Sequence, residues 1–265
     1  MADTFTVWRC RHCSTLNALE KVDYAKIYKN YPIQRQSYDF FAKRLFSKRL
    51  KILIRLGLKP HHTILDYGCG SGYFVRYLRE KNYHCNGFDP YNASHCDTSV
   101  LKNHYDLVTC QDVIEHVDEP KALLCHLTEF VAPNGCLIVG TPYADHVNIH
   151  DTLDQIGALH QPFHRFLISK QAAGNFFKLD GWKLEKIHFA SYFDTAYPFV
   201  NTMFLFHLIE SGQGPMDFVF DPIPFSHFIR NPKLFFWGFF GRFFARSQDI
   251  FVVMRKETSS TNPII

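Results

Sequence analysis

The chain has 265 residues, of which 46% are hydrophobic and 20% are charged, and its net charge is +4. This globular composition excludes a disordered or collagen-like chain, and the mild charge gives no indication of a nucleic-acid partner. Because no apolar run reaches the roughly 18 residues of a transmembrane helix and the first residues lack a secretory apolar region, we expect a cytoplasmic protein with reduced cysteines.

The first 58 residues are expected to form an N-terminal extension in front of a main domain, 59–265. Residues 1–35 show no periodic pattern and are interpreted as an irregular leader. Apolar residues recur at helical spacing over 36–58, with Lys and Arg among them, which predicts an amphipathic helix. Its basic side is most simply a solvated face; a surface for an anionic ligand or a membrane is the alternative.

Two cysteines of the leader, Cys10 and Cys13, have the spacing that zinc ribbons use for half of a site. A complete site needs two more ligands, and no second Cys-x-x-Cys follows in the sequence. The pair is therefore either part of a zinc site or two ordinary thiols.

Strands and helices alternate from residue 59 onward, which predicts an α/β fold with a parallel sheet. Short apolar runs predict the strands, and a 3.6-residue period predicts the helices between them. The predicted strands are 63–66, 83–88, 105–110, 136–140, 183–192 and 249–255, and the predicted helices follow Gly72 and cover 119–131 and 169–177. A polar connection, 91–104, and a histidine-rich loop, 144–164, lie among them.

The strongest chemical signal is a glycine-rich turn between the first strand and its helix. Gly68, Gly70 and Gly72 let the backbone approach a ligand closely, and the helix that follows offers free N–H groups. Asp89 ends the next strand, where an acid can bind the two hydroxyls of a ribose. The turn and the acid together predict a nucleotide-type ligand.

Two ligands of that type compete. A dinucleotide is disfavoured because Tyr73 replaces the last glycine of its fingerprint and because Asp66 would repel a pyrophosphate. S-adenosylmethionine carries an ammonium and a sulfonium but no phosphate, so it is compatible with both residues.

Four segments, in the right order, resemble the motifs of class I S-adenosylmethionine-dependent methyltransferases, and the chain is similar to the small-molecule enzymes of the ubiquinone-biosynthesis type. The segments are 64–74, 87–89, 105–112 and 133–142. The resemblance covers about residues 60–195 and returns at 249–255. It implies a three-layer, Rossmann-like α/β fold with a seven-stranded sheet, whose antiparallel last strand is inserted beside the sixth.

The resemblance also implies roles in cofactor binding. Asp89 would hold the ribose hydroxyls, Pro90 would flank the adenine and Asp97 would reach its amino group. Gln111 and Asp112 stand at the end of the strand 105–110, which matches the family's fourth strand and would open onto the sulfonium. The full set expected at the cofactor is Asp66, Gly68, Cys69, Gly70, Gly72, Tyr73, Phe74, Asp89, Pro90, Asp97, Gln111 and Asp112.

A cluster of acids and histidines is expected beside the cofactor. Asp112, Glu115 and His116 share one face of a helical turn. His160 and His164 follow the predicted strand 136–140, which ends at the same edge of the sheet. The segment is similar to the Glu-x-x-Glu-His of ubiquinone-pathway O-methyltransferases and small-RNA 3′-end 2′-O-methyltransferases, which implies a divalent metal, Mg or Zn, on Asp112, Glu115, His116 and His164. In a metal-free site, His116, His160 and His164 are candidate general bases. A structural capping role for the segment is the third interpretation.

The stretch 196–247, before the last strand, contains 13 of the 27 phenylalanines. It is either extra core, a lid over an apolar substrate, or a contact surface for a membrane or a second copy. All three interpretations place a lipophilic environment close to the site.

These features predict S-adenosylmethionine-dependent methylation, most simply on oxygen, of a small hydrophobic or aromatic acceptor. The alternatives are metal-dependent methylation of an RNA 3′ end, and a catalytically silent cofactor-binding domain that serves as an interaction partner. The mild net charge counts against RNA, so no specific nucleic acid is expected.

Overall fold

The computed structural model describes residues 5–29, 36–212, 224–244 and 249–257. The strands are β1 Val7–Arg9, β2 Leu16–Ala18, β3 Thr63–Tyr67, β4 His84–Phe88, β5 Tyr105–Gln111, β6 Val131–Pro142, β7 Phe166–Leu167, β8 Trp182–Ala190 and β9 Asp249–Lys256. The helices are α1 Tyr24–Lys29, α2 Phe40–Arg55, α3 Tyr73–Glu80, α4 Pro120–Glu129, α5 Thr152–Asp154, α6 Lys170–Phe176, α7 Thr202–Gly212, α8 Phe225–Arg230 and α9 Lys233–Phe240. Each strand predicted from the sequence is present, with its ends moved by a few residues.

The main sheet has the order β4-β3-β5-β6-β9-β8. Strands β4, β3, β5 and β6 pair in parallel, while β9 is antiparallel to both of its neighbours, β6 and β8. The sheet confirms the predicted Rossmann-like α/β class. Its last strand, β9, is antiparallel and lies beside β8, which matches the sixth strand of the family.

The predicted number of seven strands is wrong for the described residues, where the sheet has six. The connection 91–104 forms a loop and one short 3-10 turn, Thr98–Lys102, before β5 begins. A parallel crossover needs about a dozen residues for its connection alone, so this segment has no room for a further strand and its two crossovers. Strand β4 is therefore an edge strand.

Helices cover both faces of the sheet. One core cluster joins the sheet to α4 and α6 through Leu124 and Ala173, and the other joins it to α2 and α3 through Leu53 and Leu78. Strands that are buried on both faces consist of continuous apolar runs, and β6 shows this in its fully buried segment 136–139. The three predicted layers are present.

The predicted amphipathic helix over 36–58 is found as α2. Asp39 caps its N-terminus, with its carboxylate accepting a hydrogen bond from the Ala42 N–H at 2.9 Å. The expectation of a solvated basic side is wrong at Arg49, which is only 8% exposed.

The expectation of an irregular leader is also wrong. Strands β1 and β2 form a hairpin, and β2 pairs with β7 in a second sheet. The guanidinium of Arg9 donates to the carbonyls of Ala144 and Val147 at 3.1 and 2.6 Å, which ties the hairpin to the segment after β6. These strands are too short for a periodic pattern, and their partner lies about 150 residues away in the sequence.

Cys10 and Cys13 lie in the hairpin loop between β1 and β2. Within the described ranges, no third His, Cys, Asp or Glu side chain joins them in a metal-binding group.

Helices α7, α8 and α9 account for the described part of the aromatic stretch, and Phe204, Leu208 and Leu234 form a small core between them. Residues 213–223 and 245–248 of the stretch lie outside the described residues. Among the helices that are described, none is both long and apolar enough to cross a membrane.

Candidate functional site

The glycine-rich turn joins the end of β3 to the start of α3. Gly68, Gly70 and Gly72 have φ values of 74°, 56° and 71°, which glycine adopts at the lowest cost. The N–H groups of Gly68 and Cys69 donate to the carbonyl of Phe88 at 2.7 and 3.1 Å, so the turn is fixed to the end of β4. The sequence thus places a well-anchored turn at the carboxyl edge of the sheet.

Asp89 is bound to this turn. Its two carboxylate oxygens accept hydrogen bonds from the N–H groups of Gly70 and Tyr91, at 3.0 and 2.9 Å. The amide of Asn92 donates to the Gly70 carbonyl at 2.8 Å, which closes the loop over the turn. Each carboxylate oxygen keeps a lone pair, so Asp89 can still accept from two hydroxyls.

Asp66 is paired with a basic residue of α2 through one of its two carboxylate oxygens. One of its oxygens accepts a hydrogen bond from the guanidinium of Arg49 at 2.7 Å, and both residues are buried. Burial raises the pKa of Asp66, and the positive charge of Arg49 partly opposes that rise. The second oxygen, Oδ2, is buried and has no hydrogen-bond partner in the described part of the chain, so it can accept from a ligand ammonium.

Three other predicted cofactor residues line the turn in different ways. The Tyr73 hydroxyl donates to the carbonyl of Gln36, which brings the start of α2 to the turn. Phe74 lies in the core with the Arg49 guanidinium 3.9 Å from its ring centre, so its side chain supports the turn from behind. Cys69 is half-buried, and burial raises the pKa of its thiol.

Asp97 and Pro90, the two residues expected at the adenine, lie in the loop between β4 and β5. The carboxylate of Asp97 accepts from the N–H and the hydroxyl of Ser99, at 2.8 and 2.7 Å, and so caps the turn before β5. Pro90 is exposed. The aromatic neighbour is Tyr91, whose ring stacks on that of Tyr28 with 4.3 Å between centroids.

Gln111 and Asp112 lie together at the carboxyl end of β5, as predicted. The Gln111 amide donates to Asp112 Oδ1 at 2.7 Å, and the hydroxyl of Tyr192 donates to Oδ2. Asp112 has a φ of 55°, and its N–H is bound to the Gly140 carbonyl at 3.0 Å, so the side chain is turned back against the sheet. Burial raises the pKa of Asp112, and the two hydrogen bonds partly counter this.

Glu115, His116 and His164 form a cluster, with one potential ligand atom from each within 4.8 Å of the others. Glu115 is fully buried; its Oε2 accepts from the Thr141 hydroxyl at 2.9 Å, while Oε1 has no hydrogen-bond partner in the described part of the chain and lies 3.7 Å from His116 Nε2. Asp112, expected as a fourth ligand, is not in this group, because its carboxylate is bound to Tyr192 and Gln111.

Both histidines of the cluster are oriented from behind. His164 Nδ1 lies 2.6 Å from the carbonyl of Ala158; since a carbonyl only accepts, Nδ1 carries the proton and Nε2 keeps its lone pair. His116 Nδ1 is bound to the Tyr28 hydroxyl at 2.9 Å, which leaves Nε2 on the side of Glu115. Second partners of this kind are typical of histidines that hold a metal, so the three residues fit a divalent cation.

Burial favours the neutral form of the three histidines of the site. Burial lowers the pKa of His160 to about 3 and that of His164 to about 4, and the pKa of His116 is lowered well below its ordinary value for the same reason. Burial also raises the pKa of Glu115, and the nearby Asp112 adds to this rise. His160 contacts His164, at 5.3 Å between ring centroids, but offers no atom to the cluster.

Three residues of the site were missed by the sequence reasoning. Arg49 lies three residues after Phe46 and four residues before Leu53. This helical spacing places Arg49 on the buried face of α2 and could have identified it as a buried residue. Tyr192 and Tyr28 carry no such local signal, because their partners Asp112 and His116 lie about 80 residues away in the sequence.

Comparison with known proteins gives the family. Residues 38–187, more than half of the chain, match the methyltransferase domain family. The ubiquinone biosynthesis O-methyltransferase of Rickettsia typhi is 25% identical over 154 residues, which are 48% of this chain and 62% of that protein. The mitochondrial ubiquinone biosynthesis O-methyltransferase of Schizosaccharomyces pombe is 41% identical over 56 residues, 21% of this chain and 20% of that protein. The chain thus spans less than two thirds of the length of these curated relatives.

The fold comparison agrees. The phosphoethanolamine N-methyltransferase 2 of Haemonchus contortus superposes with a TM-score of 0.56 at 14% identity, over 91% of this chain and 62% of that one. At this identity the likeness shows a shared fold. Given the family match and the glycine-rich turn with its bound Asp89, the chain belongs to the methyltransferase domain family, as a class I S-adenosylmethionine-dependent methyltransferase domain.

Proposed function

We propose that this protein transfers a methyl group from S-adenosylmethionine to an oxygen atom of a small apolar or aromatic acceptor. The observation that carries the proposal is the position of Tyr28. Its ring stacks on Tyr91, beside the cofactor turn, and its hydroxyl binds His116 in the polar cluster. One side chain therefore links the two halves that a methyl transfer needs.

The cofactor half is formed by residues that fit S-adenosylmethionine. Asp89 has lone pairs left for the ribose hydroxyls, and the unpartnered oxygen of Asp66 suits the ammonium. The bound cofactor supplies the methyl group on its sulfonium. The chain's own contribution is to hold donor and acceptor in line, which accounts for most of the rate in reactions of this kind.

The acceptor half is polar at its centre and aromatic at its rim. The Phe163 ring lies edge-on to Tyr28 at 5.8 Å and 6.5 Å from His116, so an aromatic acceptor would find ring partners next to a neutral imidazole. His164 Nε2 has the lone pair that can accept a hydroxyl proton, although a pKa of about 4 makes it a weak base.

A divalent cation, Mg or Zn, is the alternative to a histidine base, because it would occupy the same lone pair of His164 Nε2 and the hydroxyl proton would then pass to water. Glu115, His116 and His164 would hold it, and bound there it would lower the pKa of an acceptor hydroxyl. The carboxylate favours Mg and the two imidazoles favour Zn.

Oxygen as the acceptor atom is supported by the curated relatives, which are O-methyltransferases of ubiquinone biosynthesis. The structural neighbour from Haemonchus contortus is an N-methyltransferase, so an amine acceptor is the outcome to be tested against. Methylation of an RNA 3′ end would use the same cluster and predicts turnover with single-stranded RNA.

The test is a transfer assay with radiolabelled S-adenosylmethionine, the full-length chain, and four probes: an apolar catechol, an apolar phenol, a primary amine and a single-stranded RNA. We expect label in a hydroxyl acceptor and its loss in Asp89→Ala. Transfer to the amine or the RNA alone would overturn the choice of acceptor. Absence of transfer to all four probes, together with absence of cofactor binding by calorimetry, would overturn the proposed activity.

A further inference from the structure

Helix α9 is apolar on every side but is only half covered. Leu234 and Gly238 face inward and are buried beside α7. Phe236 and Phe240, on the opposite side, are 47% and 51% exposed. A helix that is hydrophobic all round is normally buried, so the outer side of α9 lacks a cover in the described part of the chain.

Exposed phenylalanine rings are concentrated in one short stretch of the chain. Six phenylalanines of α8, α9 and the turn after α9 are between 47% and 70% exposed: Phe225, Phe236, Phe239, Phe240, Phe243 and Phe244. The Phe236 ring contacts those of Phe240 and Phe244, at 5.5 and 5.9 Å between centroids. We call these six residues the aromatic face. Single exposed apolar residues are common, but a contiguous group marks an interaction site.

The aromatic face continues onto α2. The guanidinium of Arg242 donates to the Ala196 carbonyl at 2.8 Å, which joins the turn after α9 to the adjacent Tyr197. The Tyr197 ring contacts Phe40, the first residue of α2, at 5.9 Å, and the Arg44 guanidinium lies 4.1 Å from the Tyr197 ring centre. Phe40 and Tyr197 are themselves 52% and 41% exposed, so separate parts of the chain contribute rings to one side of the molecule.

The charged residues of the segment 222–248, which contains α8 and α9, all have one sign. Between Asp221 and Asp249 the sequence contains no acidic residue, while it contains four basic ones: Arg230, Lys233, Arg242 and Arg246. A symmetric contact between two copies would bring like charges together with no acid of the same segment to neutralise them. An anionic surface would neutralise them instead.

We propose that the aromatic face docks the protein on the surface of a membrane that contains anionic lipids. Aromatic rings favour the boundary between headgroups and acyl chains, and Arg and Lys beside them pair with lipid phosphates. At eight residues, α9 is far too short to span a bilayer, so the helix lies in the plane of the surface. Docking of this kind covers the outer side of α9, and the lipid phosphates neutralise the basic residues of the segment.

The test is co-sedimentation of the full-length chain with two kinds of vesicle, pure phosphatidylcholine and phosphatidylcholine with one third phosphatidylglycerol. We expect binding to the anionic vesicles, at least tenfold weaker binding to the neutral ones, and weakening with added salt. Phe236→Ser with Phe240→Ser should abolish binding, and Arg230→Glu with Lys233→Glu should weaken it at least tenfold. Leu19→Ser, 66% exposed in the N-terminal part, and the exposed Lys102→Glu, near the edge strand β4, are the matched controls and should bind as the parent chain does.

Equal binding to both kinds of vesicle, or to neither, would overturn the proposal. Light scattering without lipid gives the second test of the proposal. A dimer that the paired substitutions Phe236→Ser and Phe240→Ser convert to monomers would also overturn it, because a second copy would then cover the aromatic face. Circular dichroism checks that each variant folds; if the serine pair does not, the charge reversal decides. The assay uses no methyl donor, so its outcome is independent of the proposed activity.

Discussion

The guanidinium of Arg49, on α2, lies 2.7 Å from the carboxylate of Asp66, at the end of β3. Both groups are almost fully buried. The ion pair connects a helix outside the glycine motif to the first acid of that motif, and the Arg49 guanidinium also covers the ring of Phe74 behind the turn. Helix α2 therefore has a part in positioning the cofactor turn.

We expect Arg49→Met to destabilise the fold by about 3–5 kcal/mol, because it leaves the Asp66 carboxylate buried without its partner. Adding Asp66→Asn should recover much of that loss, since the uncompensated charge is then removed. Urea unfolding measures both effects. The control is Arg55→Met, at the exposed end of the same helix, which should change the stability by less than about 0.5 kcal/mol. An equal loss in Arg49→Met and Arg55→Met would contradict the role of the pair.

The strands around the cofactor turn could be predicted because their signals are local, while the arrangement of the sheet came from the resemblance to class I methyltransferases. Glycines at positive φ, an acid at the next strand end and continuous apolar strands each act within a few residues. The missing strand had a readable signal as well, since the 91–104 connection is short. The N-terminal hairpin had none, because two strands of three residues gain their order only by pairing with β7, far along the chain.

The candidate site was predictable to the same extent. His116 and His164 were expected to meet because both follow strands that end at one edge of the sheet, and their rings lie 4.8 Å apart. The direction of the Asp112 side chain was not predictable, since it depends on a left-handed backbone and on the hydroxyl of Tyr192, two residues after β8. Pattern analysis assigns residue types to an edge, but long-range hydrogen bonds decide where each side chain points.

Asp89→Asn is expected to weaken S-adenosylmethionine binding by roughly 10- to 100-fold, since hydrogen bonds to a charged group contribute about 1.5–3 kcal/mol. The amide also lacks one of the two oxygens that accept from Gly70 and Tyr91, so the turn loses part of its support. Isothermal calorimetry with the cofactor gives the affinity. Asp145→Asn is the matched acid-to-amide control, because the exposed Asp145 accepts from the Lys170 N–H at the start of α6 and is not among the residues expected at the cofactor; its affinity should equal that of the parent chain.

Glu115→Gln is expected to remove divalent-cation binding, because it eliminates the carboxylate of the three-residue cluster. Titration with Zn and with Mg, after treatment with a chelator, measures the affinity. Asp112→Asn tests whether Asp112 belongs to the metal cluster or to the cofactor site. Because the Asp112 carboxylate is bound to Tyr192 and Gln111, this substitution should change the metal affinity by less than about threefold and should lower the affinity for the cofactor. Parent-level metal binding in Glu115→Gln, or its loss in Asp112→Asn, would show that the cluster is assigned wrongly.

Two glycine-to-alanine substitutions should act in opposite directions. A methyl group on Gly72 would lie 2.0 Å from the His95 imidazole, and its φ of +71° disfavours any side chain. We therefore expect Gly72→Ala to destabilise the fold by about 1–2 kcal/mol and to weaken cofactor binding. Gly174 lies inside α6 with nothing within 4 Å of an added methyl group, so Gly174→Ala should stabilise the fold by about 0.5–1 kcal/mol. Urea unfolding gives the stability of both variants, and calorimetry gives their affinity for the cofactor. A Gly72→Ala protein that is as stable as Gly174→Ala would show that His95 does not pack against the turn.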